Sequence, residues 1–294
     1  MKAPSGILLL DKPPGPTSHD LVSRVRKKGK TGKVGHAGTL DPFASGLLVL
    51  LVGGATRLAE YFLPMDKEYE ATARLGARTL TDDTEGEVVQ EREGVEDVTE
   101  DVVEEAMAGL RGAIEQAPPV YSAKKIRGKP AHRRARRGEA VTLEPVNVTV
   151  HELELLDLAP PDLRFRVRCS SGTYVRALGR DLGEALGPGA HLTALRRTKV
   201  GALAVEQAHG PGRLDGVDDL QALLTTPQTA LGHFPTLEAG VQEVEWLRQG
   251  RFLPVPEPLA EVGGPVLVIR GGELVAVVER RDDWLRPRKV LHHA

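Results

Sequence analysis

The stretch Gly35-His36-Ala37-Gly38-Thr39-Leu40-Asp41-Pro42 stands shortly before the longest apolar run of the chain, Leu47 to Val52. It combines three different polar side chains, those of His36, Thr39 and Asp41, with glycines, and glycine allows backbone or ligand to approach closely. The same residues also fit a plain turn opened by Asp41-Pro42, with His36 as an ordinary polar residue. We expect a loop here that leads into the apolar run, and we treat this loop as the first candidate for a site of chemistry.

On both sides of this loop the sequence predicts alternating strands and helices. Tyr69, Ala71, Ala73 and Leu75 recur at every second position, which is the period of a strand with one buried face. Other elements predicted from period and capping residues are a helix capped by Thr17 or Ser18 that buries Leu21, Val22 and Val25, a helix capped by Thr99, strands over 146–155 and 164–169, and a helix capped by Thr173 and ended by Gly187. This succession indicates an α+β fold built on a mixed sheet with flanking helices.

The last part of the chain has a different character. A stretch rich in Pro and Gly interrupts the order of strands and helices. Beyond it, Val266 to Ile269 and Leu274 to Val278 flank Gly271-Gly272, a two-residue signal for a β-hairpin. We therefore predict two domains, a larger one over residues 1–232 and a small all-β one over residues 236–294.

Composition places the chain among globular proteins. It has 294 residues, 40% of them hydrophobic and 27% charged, which excludes the disordered, collagen-like and disulfide-rich classes. The apolar run is far too short to span a bilayer, and no signal-peptide pattern precedes Asp11. A single cysteine, Cys169, can form neither an internal disulfide nor a thiolate metal site, and the histidines lack ligand spacing. We therefore expect a cytoplasmic protein that contacts no membrane and binds no metal.

Charge is strongly segregated along the chain, although the net charge is only −2. Residues 24–33 and 124–138 are rich in Lys and Arg and contain no acidic residue. Residues 82–105 are rich in Asp and Glu, with Arg92 as their only basic residue. We expect one part of the surface to attract polyanions such as nucleic acid and another to repel them. The simpler interpretation is that each run is only a solvated face.

Four motifs occur together in separate parts of the chain. In chain order they are residues 35–42 followed by Gly46-Leu47-Leu48; Asp66-Lys67-Glu68-Tyr69; residues 116–124, with the sequence Gln-Ala-Pro-Pro-Val-Tyr-Ser-Ala-Lys; and residues 169–176, with the sequence Cys-Ser-Ser-Gly-Thr-Tyr-Val-Arg, continued by Asp181-Leu182-Gly183, His191-Leu192 and Leu195-Arg196-Arg197. With these motifs in this order, the chain resembles the bacterial TruB family, the tRNA pseudouridine-55 synthases. The resemblance covers most of residues 5–201 and implies the pseudouridine synthase fold for the larger domain.

The resemblance implies one reaction, the isomerisation of uridine 55 in the TΨC loop of tRNA to pseudouridine. The N1–C1′ glycosidic bond breaks, the uracil turns, and a bond through C5 replaces it, without cofactor, metal or ATP. The family's catalytic aspartate corresponds to Asp41. Its carboxylate would attack C1′, add to C6 or remove a ribose proton, and the sequence leaves these three routes open.

Two further catalytic residues follow from the resemblance. A carboxylate in a pocket that is poor in water tends to take up a proton, so it needs a cationic partner to stay ionised. Arg176 corresponds to this partner, because a guanidinium can bind and orient a carboxylate. Tyr69 corresponds to the aromatic residue that lies against the target uracil and assists removal of the C5 proton. From the residues alone, a surface salt bridge or a solvated helix residue is the better interpretation of Arg176, and Tyr69 fits the core equally well.

The target uridine lies in a folded loop of RNA, so the enzyme must draw it out of the stack. The resemblance implies that His36 fills the space the uridine leaves and that the basic segments bind the RNA backbone. An RNA-binding insertion is expected over residues 124–145, and it departs from the family at Ala131-His132, where Leu-Tyr is common. The other residues assigned to substrate or RNA binding are Lys12, Gly38, Thr39, Tyr121, Lys124, Arg127, Arg133, Arg134, Arg136, Arg137, Tyr174 and Leu195.

The C-terminal domain resembles a PUA-like module by its position, which implies a contact with the acceptor stem in addition to the T-arm. Its alternative role is that of a stabilising cap. We expect a monomer. Two other functions stay open, an RNA-binding protein or RNA-folding chaperone without catalysis, and a relative guided by box H/ACA RNA. The set Asp41, Tyr69 and Arg176 favours an enzyme, and the lack of long basic tails favours one that works without a guide RNA.

Overall fold

The computed structural model describes residues 4–121, 125–126, 129–130 and 143–291. The strands are β1 (Gly6–Lys12), β2 (Val34–His36), β3 (Ser45–Val52), β4 (Lys67–Leu75), β5 (Ala77–Thr79), β6 (Val88–Glu91), β7 (Gly112–Gln116), β8 (Lys125–Ile126), β9 (Lys129–Pro130), β10 (Val146–Ala159), β11 (Asp162–Cys169), β12 (Ala190–Val200), β13 (Leu203–Ala204), β14 (Thr236–Glu238), β15 (Leu253–Pro254), β16 (Pro265–Arg270), β17 (Glu273–Arg281) and β18 (Trp284–Val290). The α-helices are α1 (Ser18–Lys28), α2 (Ala59–Phe62), α3 (Glu100–Ala108), α4 (Val175–Leu186), α5 (Pro227–Ala230) and α6 (Val241–Arg248). Short 3₁₀ helices span Gly53–Leu58, Val205–Gln207, Pro211–Leu214, Leu220–Leu223 and Glu257–Leu259.

The larger sheet is mixed. Its strands follow the order β1-β3-β12-β4-β11-β10-β7, with β2 beside β3 and β13 beside β12. Strands β3 and β12 pair in parallel, and every other pair of neighbouring strands in this order is antiparallel. The predicted α+β fold with a mixed sheet is therefore confirmed.

Strand β4 lies at the centre of this sheet and follows the predicted alternation. Tyr69, Ala71, Ala73 and Leu75 are all buried, whereas the residues between them are partly or fully exposed. Because β4 pairs with β12 on one side and β11 on the other, its backbone is hydrogen-bonded along both edges. The side chain of Tyr69 is therefore fixed in the middle of the sheet.

The predicted helix after Thr17 is confirmed as α1. The Thr17 side chain accepts a hydrogen bond from the backbone N–H of Asp20, and the Asp20 carboxylate accepts one from the backbone N–H of Thr17. This reciprocal pair satisfies two donors at the start of the helix. Its last turn carries Arg26 to Lys28, and cations stabilise the negative end of a helix dipole.

Helix α4 is capped differently from the prediction. Thr173 does not cap it, because its hydroxyl donates to the carbonyl of Ser170, and the N-cap is Tyr174 without a side-chain hydrogen bond of its own. A distant side chain fixes this N-cap residue: the Gln116 amide on β7 donates to the Tyr174 carbonyl at 3.1 Å and accepts from the Tyr174 N–H at 2.8 Å. The helix ends at Gly187, as predicted.

The apolar run that follows the glycine-rich loop becomes β3, which is buried on both faces. On one face Leu50 packs into a core shared with α1, α3 and α4. On the other face Leu51 packs with Phe62 of α2 and with Leu267 and Val277 of the C-terminal strands. A strand that is covered on both faces has a continuous apolar sequence instead of an alternating one.

The C-terminal strands form a second sheet in the order β14-β16-β17-β18-β15. The predicted hairpin joins β16 to β17 through Gly271 and Gly272, whose φ angles of +56° and +79° favour glycine. This part of the chain also contains helix α6, which the sequence analysis did not predict. The first strand of this sheet begins at Thr236, and the division into domains at residues 232 and 236 stays a prediction.

In the part of the chain that the structure describes, none of the helices is long and apolar enough to cross a membrane. The predicted insertion over residues 124–145 lies largely outside the described residues, which include only the backbone of the short hairpin β8–β9 and residues 143–145 of it.

Candidate active site

A cleft of about 280 Å³ opens beside β4, where three of the four motifs meet. The residues assigned to it from the sequence are Gly38, Thr39, Asp41, Tyr69, Tyr174, Arg176 and Leu195. They come from the glycine-rich loop, from β4, from the start of α4 and from β12. The fold therefore brings together residues that lie far apart in the sequence.

Asp41 and Arg176 form an ion pair in this cleft. The Arg176 Nε and the Asp41 Oδ2 are 2.9 Å apart. The side chain of Asp41 is 36% exposed, whereas that of Arg176 is only 5% exposed. The carboxylate is therefore reachable from the cleft, while the guanidinium is held behind it.

The remaining nitrogens of Arg176 are held as well. Its Nη1 donates to the Thr81 carbonyl at 2.6 Å, and its Nη2 donates to the Tyr121 carbonyl at 3.1 Å. A second carboxylate, that of Asp83, lies 3.2 Å from Nη1 and is 2% exposed. Arg176 thus stands between two carboxylates, of which only Asp41 reaches the cleft.

Asp83 is fixed by its own loop. Its Oδ1 accepts hydrogen bonds from the Thr81 hydroxyl and from the backbone N–H of Glu85. Its neighbour Asp82 is also buried, and its carboxylate lies 3.0 Å from Nη1 of Arg180 on α4. The interpretation of residues 82–105 as a solvated face is therefore wrong for these two residues, because they are buried and pair with the buried Arg176 and the partly buried Arg180.

The pKa of Asp41 is set by opposing influences. Burial raises the pKa of this carboxyl above its usual value, and the negative charge of Asp83 raises it further. The positive charges of Arg176 and Lys12 oppose the rise. The ionised form of Asp41 therefore depends chiefly on Arg176.

The loop that carries Asp41 is fixed on both sides of it. The Ser18 hydroxyl accepts from the Leu40 N–H and donates to the Leu40 carbonyl, each at 2.9 Å. The Lys12 ammonium donates to the carbonyls of Pro42 at 3.0 Å and Ala44 at 2.6 Å. Because Lys12 is completely buried, it contacts the loop rather than the surface in this structure, and its role in RNA binding stays a prediction.

A glycine that follows this loop allows two strands to meet. Gly46 has a φ of +99°, and an added Cβ would lie 2.2 Å from the carbonyl oxygen of Arg197. The parallel pairing of β3 with β12 at this point therefore requires glycine. This close contact is what places β12, with Leu195, next to the Asp41 loop.

Tyr69 and Leu195 are almost buried and line the cleft from neighbouring strands. Burial raises the pKa of the Tyr69 hydroxyl, and the charge of Arg197 opposes this rise. Together they give the cleft one aromatic and one aliphatic wall, which suits a planar base.

The other predicted site residues lie apart from the cleft wall. His36 is half-buried at the end of β2, and its Nδ1 is buried with no hydrogen-bond partner among the described residues. Burial lowers the pKa of His36. Tyr121 is half-buried and contributes its carbonyl to Arg176. The predicted RNA-binding residues Lys124, Arg127, Arg133, Arg134, Arg136 and Arg137 lie outside the described residues.

Sequence reasoning missed three residues that hold this site: Asp83, Gln116 and Arg197. Each is buried and polar, and each contacts a predicted catalytic residue or the loop or helix that carries one. The only sequence signal was that Gln116 and Arg197 stand inside recognised motifs. Asp83 had no such signal, because it is the second residue of an acidic run that has the composition of a solvated surface.

Comparison with known structures identifies the fold. The chain matches a solved Cbf5-Nop10-Gar1 complex with a TM-score of 0.73 and 28% identity, covering 98% of this chain and 85% of that chain. This mixed sheet is the fold of the pseudouridine synthases. Two family models match the sequence, the TruB family pseudouridylate synthase N-terminal domain over residues 26–175 and the tRNA pseudouridylate synthase B C-terminal domain over residues 176–234. The chain belongs to the TruB family of pseudouridylate synthases.

Curated relatives agree with this assignment. A tRNA pseudouridine synthase B of Leifsonia xyli subsp. xyli is 46% identical over 94% of this chain and 93% of that protein. Another, of Thermobifida fusca, is 43% identical over 96% of this chain and 97% of that protein. The family resemblance found in the four motifs is therefore confirmed along nearly the whole chain.

Proposed function

We propose that this protein isomerises uridine 55 in the TΨC loop of tRNA to pseudouridine, with Asp41 as its catalytic carboxylate and without a cofactor. Relatives that match nearly the full chain are named tRNA pseudouridine synthase B, which supports tRNA as the substrate. The observation that carries the proposal is the pair formed by Asp41, which reaches the cleft, and Arg176, which is buried behind it. Binding alone would not require a buried arginine behind the cleft, since burying a charge is costly.

Asp41 acts in its ionised form. It attacks C1′, adds to C6 or removes a ribose proton, and each of these steps needs an electron pair on the carboxylate oxygen. Arg176 keeps that electron pair free of a proton despite burial, and it fixes the carboxylate through Nε. Asp83 and the carbonyls of Thr81 and Tyr121 hold the guanidinium in place. The preorganised group is therefore ready before the uridine enters.

The uracil occupies the space between Tyr69 and Leu195. These two walls leave the base free to turn in its plane after the glycosidic bond breaks, because they offer flat apolar contact rather than directional bonds. Tyr69 lines the cleft, and its hydroxyl assists removal of the C5 proton. His36, on the strand that leads into the Asp41 loop, fills the gap that the flipped nucleotide leaves in the RNA.

The RNA backbone is bound by basic side chains outside the cleft. At the end of α1 and in the segment after it, Lys27, Lys30 and Lys33 are exposed, and none has an ion pair within the described part of the chain. Arg24 differs, since it pairs with Asp215. The basic residues of the insertion supply the other part of this interface. Phosphate contacts of this kind give affinity and register without reading the sequence.

The C-terminal domain contributes a second RNA contact at the acceptor stem. Trp284 is 50% exposed, and Phe252 is 44% exposed, an unusual degree for such large apolar side chains. Trp284 on β18 pairs with Pro254 on β15 and, on its other side, with Arg281 on β17. Arg281 and Arg286, two residues further along β18, are both exposed. Aromatic rings with neighbouring arginines suit unpaired bases and phosphates. The enzyme would act as a monomer in the cytoplasm, with one protein bound to one tRNA.

An RNA-guided function is the main competitor, since the matched Cbf5-Nop10-Gar1 complex contains further proteins. The match to that structure is 28% identical, whereas the curated relatives named for tRNA are 43% to 46% identical. A stand-alone tRNA enzyme is therefore the better conclusion.

The test uses unmodified tRNA transcript that carries tritium at C5 of its uridines. Isomerisation replaces the C5 hydrogen, so the purified protein should release close to one tritium per tRNA, and mapping should find pseudouridine at position 55. A transcript with cytidine at position 55 is the matched control and should release none. Release of no tritium from the first transcript, or equal release from both, would contradict the proposal.

A further inference from the structure

Arg197 is one of the largest fully buried side chains in the described part of the protein, and the chemistry proposed above does not use it. Its Nε donates to the Leu47 carbonyl at 2.7 Å. Its Nη2 donates to the Gly38 carbonyl at 3.1 Å, and its Nη1 lies 3.4 Å from the Thr39 carbonyl. One guanidinium therefore joins β3 to the turn that precedes Asp41.

The backbone of this turn favours glycine at position 38. Gly38 has a φ of +125°, and an added Cβ would lie 3.3 Å from Nη1 of Arg197. The glycine and the guanidinium fit each other. The position of the turn, and with it the position of Asp41 three residues later, depends on where Arg197 lies.

Arg197 also faces Tyr69. The two residues stand directly opposite each other in the pairing of β12 with β4, and directly opposed residues present their side chains on the same face of a sheet. The charge of Arg197 favours the ionised form of the Tyr69 hydroxyl. The other charged or titratable groups that act on this hydroxyl are Asp41 of the loop and Cys169 of β11, and both act in the opposite direction.

A buried arginine normally pairs with a carboxylate, because an uncompensated buried charge is costly. Arg197 has no carboxylate within 4.0 Å among the described residues, and only backbone carbonyls offset its charge. A second buried cation, Lys67, lies close enough for burial and the charge of Arg197 to lower its pKa to about 8. The inner wall of the cleft therefore carries an excess of positive charge beside a phenol.

We propose that Arg197 is a positioning residue for the isomerisation, which holds the Asp41 turn and the Tyr69 hydroxyl in one fixed arrangement and stabilises negative charge on that hydroxyl. This inference rests on the proposed function for its kinetic part. Packing and hydrogen bonds to neutral carbonyls do not require the positive charge of Arg197. The task of that charge is the electrostatic support of the Tyr69 hydroxyl. A methionine would fill the space without that support, and a lysine would keep the charge but lose the planar fork.

The experiment compares Arg197→Met and Arg197→Lys with wild type in steady-state tritium release. We expect Arg197→Met to lower kcat by roughly 10²-fold, the loss typical of one preorganised donor, with KM for tRNA changed little. Arg197→Lys should recover part of that loss. Arg74→Met is the matched control, because Arg74 lies on β4 with Tyr69 but is half-exposed and pairs with Asp162. Its kcat should equal that of wild type.

A second readout separates positioning from mere structural support. 3,5-Difluorotyrosine placed at position 69 titrates at lower pH than tyrosine, and its fluorine NMR shift reports its ionisation without any RNA. Removing the charge with Arg197→Met should move this titration upward by about one pH unit or more, whereas Arg197→Lys should move it less. If Arg197→Met is too unstable to assay, Arg197→Lys and Arg74→Met provide the comparison.

An unmoved titration in the Arg197 variants would overturn the inference, as would an unchanged kcat. Failure of the proposed function would look different. Wild-type protein would then release no tritium, yet the fluorotyrosine titration would still report on the contact between Arg197 and Tyr69.

Discussion

Two arginine–carboxylate pairs of this protein have similar chemistry and opposite consequences. Arg74 on β4 holds Asp162 on β11 through two hydrogen bonds of 2.9 and 2.8 Å, and both side chains face solvent. Arg176 holds Asp41 with its guanidinium buried. The pKa of Asp162 is lowered by its arginine, whereas the pKa of Asp41 stays raised because burial outweighs Arg176.

The two carboxylates are almost equally exposed, at 36% for Asp41 and 37% for Asp162, so the pairs differ in the arginine, which is 5% exposed at Arg176 and 50% exposed at Arg74. An exposed pair contributes little to stability, since water competes for both charges. A buried pair is costly to break, because removal of one partner leaves the other charge without compensation. The position of Arg176 between Asp41 and Asp83 is therefore what the following predictions address.

The largest effect is expected from Asp41→Asn. The change removes the reacting carboxylate but hardly any volume, so turnover should fall by several decades, each equal to about 1.4 kcal/mol. Binding of tRNA, measured by filter retention, should stay within a few-fold of wild type, because phosphate contacts lie elsewhere. Asp162→Asn should change neither quantity. More than a few per cent of activity in Asp41→Asn would remove Asp41 from the catalytic role.

Asp83→Asn should have the next largest effect. It leaves Arg176 with one neighbouring carboxylate instead of two. The amide NH₂ of the new side chain would also face the guanidinium unless the amide rotates to present its oxygen. We expect a fall in kcat of about one to two decades and a lowered melting temperature, since a buried partner is lost. The affinity for tRNA should hold. A variant with wild-type kcat would mean that Thr81 and Tyr121 alone keep Arg176 in place.

The pH dependence should reveal which group controls Asp41. In the proposed mechanism the ionised form is the active one, so the rate should rise with pH through the pKa of Asp41, which burial raises above its ordinary value. Arg176→Gln removes the main influence that lowers this pKa, and the acid limb should therefore move to higher pH by about one unit or more. Single-turnover rates across pH provide the measurement. A limb that stays in place would show that another group limits the rate in acid.

Salt should distinguish the buried charges from the exposed ones. Replacing Lys27, Lys30 and Lys33 with Gln removes three exposed positive charges near the end of α1. Each lost phosphate contact should flatten the plot of log affinity against log salt by roughly 0.7 to 0.9, so the slope should fall by about 2 to 3. Turnover at saturating tRNA should change little. An unchanged slope would mean that these lysines form only a solvated face.

The same test applies to the predicted insertion. Replacing Arg133, Arg134, Arg136 and Arg137 with Gln should flatten the slope by about 3, again without a matching loss of turnover at saturation. If only one of the two segments carries the phosphate contacts, the two sets of variants will differ, and the RNA path will follow the segment that responds.

Local pattern sufficed for most of the fold. The alternation in β4, the capping box of α1 and the glycine pair of the C-terminal hairpin were all predictable, because each depends on neighbours in sequence. The start of α4 was not, because its N-cap is Tyr174 instead of Thr173, and Tyr174 is held by Gln116 from a strand 58 residues away. A contact between distant residues leaves no periodic signal.

The candidate site was predictable in part for the same reason. Asp41, Tyr69, Arg176 and Leu195 stand in motifs of a known family, and the fold places all four at one cleft. Asp83 and Arg197 are charged, and charged residues are rarely fully buried, so the sequence favours the surface for both. Only the three-dimensional arrangement assigns them to the interior, where they hold Arg176 and the Asp41 turn.

The most direct measurement applies one substitution to both arginine pairs. Tritium release from C5-labelled tRNA under saturating conditions is compared for wild type, Arg176→Lys and Arg74→Lys. A lysine keeps the positive charge, but its single ammonium group cannot contact Asp41, Asp83 and two carbonyls at once, as the planar guanidinium does. We predict that Arg176→Lys loses roughly 10²-fold or more in turnover with little change in tRNA affinity, and that Arg74→Lys is indistinguishable from wild type. Equal turnover in all three proteins would contradict the claim that the buried arginine holds the catalytic carboxylate.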